Sequence, residues 1–284
     1  MKRIIDISKW NAIVNFSTIN KSIDGAIVRA GISGNVNGTP CLDSRFFPYI
    51  IELNKNNVPV GAYYLTAAIS TDEAKKEAQF FIGALIQSEV KLSLPIFVCT
   101  EWTASNHNGR SDKLTVEERT EIIKAFIDEC KDLGYVCCIM AAGNWLDNNL
   151  DMNSLSDCSV WTLSDNVSNR PNKIMNRTSE RFEVKGIAGY VCLNELYTII
   201  DPYVAKPKEE KKEVEKKPKE KKAKTYKVGG YFNVKNREVY KTSISSTVID
   251  TVNGRVYITN ATVRNNRIRI TNSKDGETIG WINI

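Results

Sequence analysis

A carboxylic acid closes a short apolar segment near the middle of the chain. Residues 94–102 read LPIFVCTEW, which predicts a buried strand that ends on Glu101. Because side chains alternate along a strand, Phe97, Cys99 and Glu101 share one face. An acid with apolar neighbours resists ionisation and is suited to proton donation, whereas a strand-end acid in open solvent has no such role.

Short apolar runs alternate with helical patterns through residues 1–205, and these elements must position the acid. Helical spacing begins at residues 71–73, and Thr115 with Glu118 forms a capping box before a second helical pattern. Repeated strand–helix units of this kind predict an α/β fold with a parallel sheet or barrel. Strands are predicted at residues 3–6, 25–29, 58–64, 94–99, 135–140, 158–163 and 186–192.

The ends of these predicted strands share a polar and aromatic composition. In parallel sheets and barrels the functional side chains lie at the carboxyl ends of the strands. Acids and aromatic rings at one rim resemble a carbohydrate site, where sugar faces stack on rings and hydroxyl groups meet polar side chains. The residues at the predicted ends are Asp6, Arg29, Tyr63, Tyr64, Glu101, Trp161, Cys192 and Asn194.

Composition narrows the class of protein. A hydrophobic content of 42% suits a globular core, and no apolar run approaches membrane-spanning length. The chain opens Met-Lys-Arg without a secretion signal, so we expect synthesis in a bacterial cytoplasm. Seven cysteines without regular spacing fit a reducing compartment.

The charge pattern predicts a linker between two domains. Residues 206–224 hold ten Lys and five Glu, so they cannot form a core. Residues 1–205 carry 20 basic and 24 acidic side chains, whereas residues 225–284 carry nine basic and four acidic side chains. The tail also shows short β-rich runs separated by Asn-Gly, Asn-Asn and Asp-Gly turns, which predict a small all-β barrel.

The N-terminal region resembles the glycoside hydrolase family 25 lysozymes, the Chalaropsis-type muramidases common in phage endolysins. The resemblance rests on four segments in shared order, at residues 6–10, 61–64, 94–101 and 186–194. It implies an irregular TIM-like β/α barrel without a cofactor. It also implies cleavage of the bond between N-acetylmuramic acid and N-acetylglucosamine in peptidoglycan.

The family's residue roles carry over onto matching positions. Glu101 is expected to be the general acid, and Asp6 to position water or stabilise an oxocarbenium charge. Arg29 either orients a carboxylate or forms a structural ion pair beneath the rim. The residues expected to contact substrate are Tyr63, Tyr64, Trp102, Trp161, Arg29, Cys99, Cys192 and Asn194.

Two family carboxylates are replaced by thiols. The family pattern Asp-x-Glu reads Cys99-Thr100-Glu101, and Val-Asp-x-Asn reads Val-Cys192-Leu-Asn194. Three readings compete: drift at a weakened site, a zinc site with Asp6 and Glu101, or a cysteine nucleophile with the lone His107 as base. We prefer drift, which leaves either a muramidase of reduced activity or a catalytically inactive carbohydrate-binding remnant.

The tail resembles bacterial Src-homology-3-like cell-wall-binding domains. A Gly-Trp-Ile close at residues 280–282 carries this likeness. The combination predicts an endolysin with a barrel at residues 1–205 and a wall-binding domain at residues 225–284. Peptidoglycan is the expected partner, reached after release from the cell. Neither nucleic-acid binding nor membrane insertion is expected.

Overall fold

The computed structural model describes residues 1–34, 36–164, 167, 169–204, 226–245, 247–274 and 276–284. The chain divides into two units, Met1–Pro207 and Lys208–Ile284. The predicted linker at residues 206–224 lies outside the described residues. The predicted domain limits therefore stay predictions.

The first unit contains a closed barrel of eight strands. Their order is β1–β11–β9–β8–β7–β6–β5–β3, and pairing of β3 with β1 closes the ring. The barrel strands are β1 (Lys2–Ile7), β3 (Gly25–Ser33), β5 (Val60–Leu65), β6 (Ile96–Cys99), β7 (Cys137–Ala141), β8 (Val160–Thr162), β9 (Lys173–Phe182) and β11 (Val191–Leu196). Outside the ring, β4 (Pro40–Leu42) pairs with β3, and β2 (Ala12–Ile13) pairs with β10 (Ile187–Ala188).

The barrel is not wholly parallel, which corrects the sequence prediction. Strand β11 runs antiparallel to both of its neighbours, β1 and β9. Its amino end therefore reaches the rim, and Cys192 lies opposite Asp6. The predicted strand at residues 186–192 is two strands, separated by Gly189 with a φ of 78°. Strand β9 was not predicted, because its apolar run is limited to Ile174 and Met175.

Helices cover the outside of the barrel. Both predicted helices are present, and the capping box of Thr115 with Glu118 is confirmed. None of the described helices has the length and apolar character needed to cross a membrane. The helices are α1 (Phe46–Lys55), α2 (Thr71–Ser88), α3 (Val116–Asp132) and α4 (Gly143–Asn149), with a 3-10 helix at Phe16–Lys21.

Alternation along the strands divides the apolar residues into two cores. One core fills the barrel interior, and the other lies between the strands and the helices. Neighbouring residues of one strand therefore belong to different cores, as Tyr63 and Tyr64 of β5 do. The inner core includes Ile4, Ile27, Tyr63, Phe97, Cys99, Cys138, Met140, Trp161 and Met175.

The second unit is a closed barrel of four strands. These are β12 (Tyr231–Tyr240), β13 (Val248–Arg264), β14 (Arg267–Thr271) and β15 (Gly280–Asn283). Asn265 and Asn266 join β13 to β14 with φ angles of 49° and 56°, so the expected Asn-Asn turn is present. Six buried aliphatic side chains form its core: Val239, Val256, Ile258, Ile268, Ile270 and Ile282.

A buried acid lies between helix α2 and the strands. Glu77 is 1% exposed and accepts a hydrogen bond from the Thr66 hydroxyl group. Burial raises the pKa of Glu77 from 4.5 to about 7, although hydrogen bonds from Ser33 and Thr66 oppose the change. Folding therefore favours the protonated form of this side chain.

Stability should depend on pH through Glu77. Its favourable contribution is complete below pH 4.5 and is lost as the pH rises through about 7. Between pH 5 and pH 8, the free energy of unfolding of the wild type should fall relative to Glu77→Gln by up to ~3 kcal/mol. Chemical denaturation at both pH values measures this difference. The same substitution at exposed Glu121 should not produce it, and an equal pH dependence in both variants contradicts the role of Glu77.

Candidate active site

A hydrogen-bond network fixes Asp6 at the rim of the barrel. Its carboxylate accepts a hydrogen bond of 2.9 Å from the Asn194 amide. Arg177 Nη2 lies 3.2 and 3.3 Å from the two carboxylate oxygens. Asn194 is itself held, since its amide donates to the Ile4 carbonyl group and its Oδ1 accepts from Trp161 Nε1. Asp6 therefore has little freedom to change its orientation.

Opposing effects act on the ionisation of Asp6. Burial raises the pKa of its carboxyl group, while the Arg177 guanidinium and the Asn194 amide lower it. Burial outweighs these partners, so the pKa lies above its ordinary value of 3.8. Asp6 is thus a positioned carboxylate whose charge depends on the cation beside it.

Glu101 follows strand β6 by two residues and lies exposed at the rim. The surrounding protein partly shields its carboxyl group from water, and this raises its pKa. The positive charges of Arg177 and, to a lesser extent, Arg29 lower the pKa but do not cancel the rise. An exposed acid with a raised pKa can deliver a proton to a bound substrate. The raised pKa agrees with the expectation of an acid that resists ionisation, whereas the exposure of Glu101 was not expected, and its catalytic role stays a prediction.

An aromatic wall stands beside Glu101. Trp102 is 39% exposed, and His107 stacks on it with ring centroids 4.1 Å apart. Trp145 meets Trp102 edge-on at 4.8 Å. An adjoining cavity of about 430 Å³ is lined by Glu101, Trp102, Ala142, Asn144, Trp145, Asn148, Asn149 and Leu163. The rings and amide groups of this cavity suit a sugar, and His107 serves as a partner of Trp102.

Tyr63 forms part of the floor beneath the rim. It is 9% exposed, and its ring meets Trp161 edge-on at 6.2 Å. Burial raises the pKa of its hydroxyl group, and the nearby Asp6 adds to this effect. Tyr63 is therefore a neutral group close enough to Asp6 to feel its charge.

Several residues expected to contact substrate are buried, Cys99 among them, and for three others the burial corrects the assignment. Tyr64 faces the helices, where its hydroxyl group lies 2.7 Å from Ser33 Oγ, because adjacent strand residues point to opposite sides. Trp161 is fully buried in the barrel interior, so no ring face is open to a sugar. Asn194 is also fully buried and supports Asp6.

Arg29 has a carboxylate partner within the protein. Its Nε donates a hydrogen bond of 2.8 Å to Asp43 Oδ2. Its Nη2 lies 2.8 Å from the same oxygen. The Asp43 side chain is fully buried and also accepts hydrogen bonds from the backbone of Lys9 and Arg45. The structure thus shows the ion pair that was one of the two alternatives for Arg29.

The two thiols at the site are neutral. Burial is the main reason that the pKa of Cys99 lies well above its ordinary range, and the nearby Glu101 raises it further. Burial and then Asp6 raise the pKa of Cys192 to about 11. Neither thiol is therefore activated as a nucleophile. Both are free, and no group of three His, Cys, Asp or Glu among the described residues could hold a metal ion.

Arg177, like Trp145 of the adjoining cavity, is a site residue that the sequence did not reveal. It lies on the unpredicted strand β9, two positions after the inward-facing Met175. Had β9 been recognised, alternation would have placed Arg177 on the inner face. Its interaction with Asp6 depends on pairing between distant strands, which no local pattern reports.

Comparison with known proteins identifies relatives of the first unit. The sequence matches the family described as glycosyl hydrolases family 25 over residues 5–182, whereas no curated protein matches it. The modular autolysin LytC from Streptococcus pneumoniae aligns with a TM-score of 0.60 and 26% identity, covering 68% of this chain and 46% of that chain. Its complex with a synthetic peptidoglycan ligand gives a TM-score of 0.59 and the same identity and coverage. The catalytic domain of endolysin ply40 from bacteriophage P40 of Listeria monocytogenes gives a TM-score of 0.52 at 19% identity. The alignment covers 69% of this chain and 93% of that chain.

The fold and the rim carboxyl groups define a class of protein. A β/α barrel with two carboxyl groups at its rim is typical of glycoside hydrolases. The family match spans more than half of the sequence, and the chain belongs to glycosyl hydrolase family 25. The predicted family is thereby confirmed. The alignment covers less than half of the length of LytC, and the likeness to ply40 shows the fold alone.

Proposed function

We propose that the protein is an endolysin-type peptidoglycan hydrolase, a muramidase that cleaves between N-acetylmuramic acid and N-acetylglucosamine. The observation that carries the proposal is the pairing of an exposed acid of raised pKa, Glu101, with a fixed carboxylate, Asp6. The similarity to LytC in complex with a synthetic peptidoglycan ligand supports the choice of substrate.

The proposed reaction uses the two carboxyl groups differently. Protonated Glu101 gives its proton to the glycosidic oxygen as the bond to the anomeric carbon breaks. Ionised Asp6 stabilises the positive charge that develops on the sugar. Water then adds to the anomeric carbon and releases its proton to a carboxylate, which completes the hydrolysis. The exposed ring of Trp102 offers a stacking surface next to this centre.

The two thiols should slow this reaction. Cys99 and Cys192 are neutral where the family has carboxylates, so they stabilise a developing positive charge poorly. Losing one preorganised electrostatic group costs on the order of 3 kcal/mol of transition-state stabilisation. We therefore propose reduced rather than absent activity.

The alternative is a catalytically inactive protein that binds peptidoglycan or another carbohydrate. It is favoured by the Arg177–Asp6 ion pair, since a carboxylate neutralised by arginine stabilises a cation less well. Incubation with purified peptidoglycan and mass analysis of new reducing ends separates the two functions. Muramic acid ends support the muramidase. Sedimentation with peptidoglycan without any new ends supports the binding protein.

We propose that the second unit binds an anionic polymer of the cell wall. Tyr231 is 57% exposed, and the Arg255 guanidinium lies 4.3 Å from the centre of its ring. The Tyr257 ring lies 6.0 Å from Tyr231 on the neighbouring strand. An exposed ring, a half-buried ring and a cation side by side suit a polymer that carries both sugar or polyol units and negative charge.

Substitutions in this patch should weaken wall binding by the full chain. We expect Tyr231→Ala and Arg255→Gln each to lower affinity by at most roughly tenfold, because each removes one stacking or charge contact. Sedimentation with purified walls measures this loss, in a Glu101→Gln background so that the wall stays intact. Lys274→Gln removes the same charge from an exposed position and should have little effect. Equal losses in all three variants contradict a specific patch.

A further inference from the structure

Arg177 lies beside Asp6 at the rim of the barrel. Its side chain is 15% exposed, and Nη2 bridges both oxygens of the nearly buried Asp6 carboxylate. Its Nη1 lies 3.7 Å from Glu180, whose side chain is 75% exposed. The ion pair with Asp6 is therefore less exposed to solvent than the ion pair with Glu180. It is also the stronger of the two, because water screens it less.

Among the described residues, Arg177 is the cation that forms an ion pair with Asp6. The other arginine near the site, Arg29, is bound to the buried Asp43. The titratable and charged groups that face Arg177 and Asp6 come from five strands or the residues after them. They are Arg29 of β3, Tyr63 of β5, Cys99 and Glu101 at β6, Glu180 of β9 and Cys192 of β11.

We propose that Arg177 is a positioning residue of this active site, which holds Asp6 as an anion and sets the pH range in which the barrel works. The inference rests on the proposed hydrolase function. It assigns to an arginine the task of keeping a buried carboxylate charged. Such a carboxylate takes up a proton when its ion-pair partner is removed.

The same guanidinium acts on both carboxyl groups in one direction. It opposes the effect of burial on Asp6 and on Glu101, so that the pKa of each lies lower than it would without Arg177. Activity requires Asp6 ionised, so the rate falls when the pH drops through the pKa of Asp6. It requires Glu101 protonated, so the rate falls when the pH rises through the pKa of Glu101.

Arg177→Met should therefore move both limbs of the pH–rate profile to higher pH. An opposite charge at this distance lowers a carboxyl pKa by roughly 1–3 units, so we expect the acidic limb to move by roughly one unit or more. The alkaline limb should move less, because Glu101 is exposed. Arg177→Lys keeps the charge and should leave both limbs near their wild-type positions.

The profile of kcat/KM on purified peptidoglycan tests this expectation. Arg181→Met is the matched control, because Arg181 lies on the same strand and stacks on Tyr190. A purely structural role for Arg177 would lower the whole profile without moving its limbs. That result, or equal movement in the Arg181 variant, overturns the proposal.

A direct titration of Asp6 tests the inference even when no cleavage is detected. In protein labelled with ¹³C at the aspartate carboxyl carbons, the signal that Asp6→Asn removes belongs to Asp6. Its midpoint should rise by roughly one unit or more in Arg177→Met and stay near wild type in Arg177→Lys. An unchanged midpoint in folded Arg177→Met refutes the role of Arg177. Absence of reducing ends from the wild type at every pH refutes only the hydrolase function.

Discussion

Replacing Glu101 with glutamine should lower the release of reducing ends from peptidoglycan by ~10²–10⁴-fold, the range that general acid catalysis contributes. The amide cannot donate the proton that the leaving oxygen needs. Glutamine has nearly the same shape, and Glu101 is exposed, so the fold should not change. The rate of appearance of reducing ends, measured at saturating peptidoglycan, gives the size of the loss.

A control substitution separates the loss of the acid from the loss of negative charge. Glu183 is exposed beyond strand β9, and Glu183→Gln should retain wild-type activity. Wild-type activity that survives in Glu101→Gln would show that another group supplies the proton. If such activity were also lost on chelation, the metal alternative for Cys99 and Cys192 would have to be reconsidered.

Much of the fold follows from local patterns in the sequence. The apolar runs that became β1, β3, β5, β6, β7 and β8 are recognisable because both of their faces are covered. The direction of β11 cannot be recognised in this way, because a short apolar strand has the same pattern in either direction. Strand β9 was missed because beyond Met175 it carries mainly polar side chains.

The raised pKa of Glu101 is the part of the candidate site that local sequence indicates. Glu101 follows an apolar strand, and that neighbourhood alone indicates a carboxyl group that resists ionisation. Tyr63 and Tyr64 were assigned together, although alternation allows one of them to face the interior. The depth of Trp161 and the contact between Arg177 and Asp6 depend on how distant strands pair, so the sequence pattern could not supply them.

Introducing a carboxylate at Cys99 is the change most expected to increase activity. The side chain faces the barrel interior, where Asp6, Glu101, Arg29 and Arg177 act on it. Burial and the carboxyl groups of Glu101 and Asp6 oppose ionisation of an aspartate there, whereas the guanidinium groups of Arg177 and Arg29 favour its charged form. Its charge would then add to that of Asp6 in stabilising a cationic sugar.

Cys99→Asp should therefore raise the rate of peptidoglycan cleavage by up to ~10²-fold, the lower end of the effect of one preorganised electrostatic group. The new charge should also raise the pKa of Glu101 and extend activity to higher pH, because like charges disfavour each other. Cys99→Asn tests shape without charge and should give no gain, while Cys41→Asp adds the same carboxylate at an exposed cysteine outside the barrel interior. Rates of reducing-end release across pH 4–9 compare the variants. Cleavage by neither the wild type nor folded Cys99→Asp, with peptidoglycan binding retained in both, would favour the inactive binding protein over the muramidase.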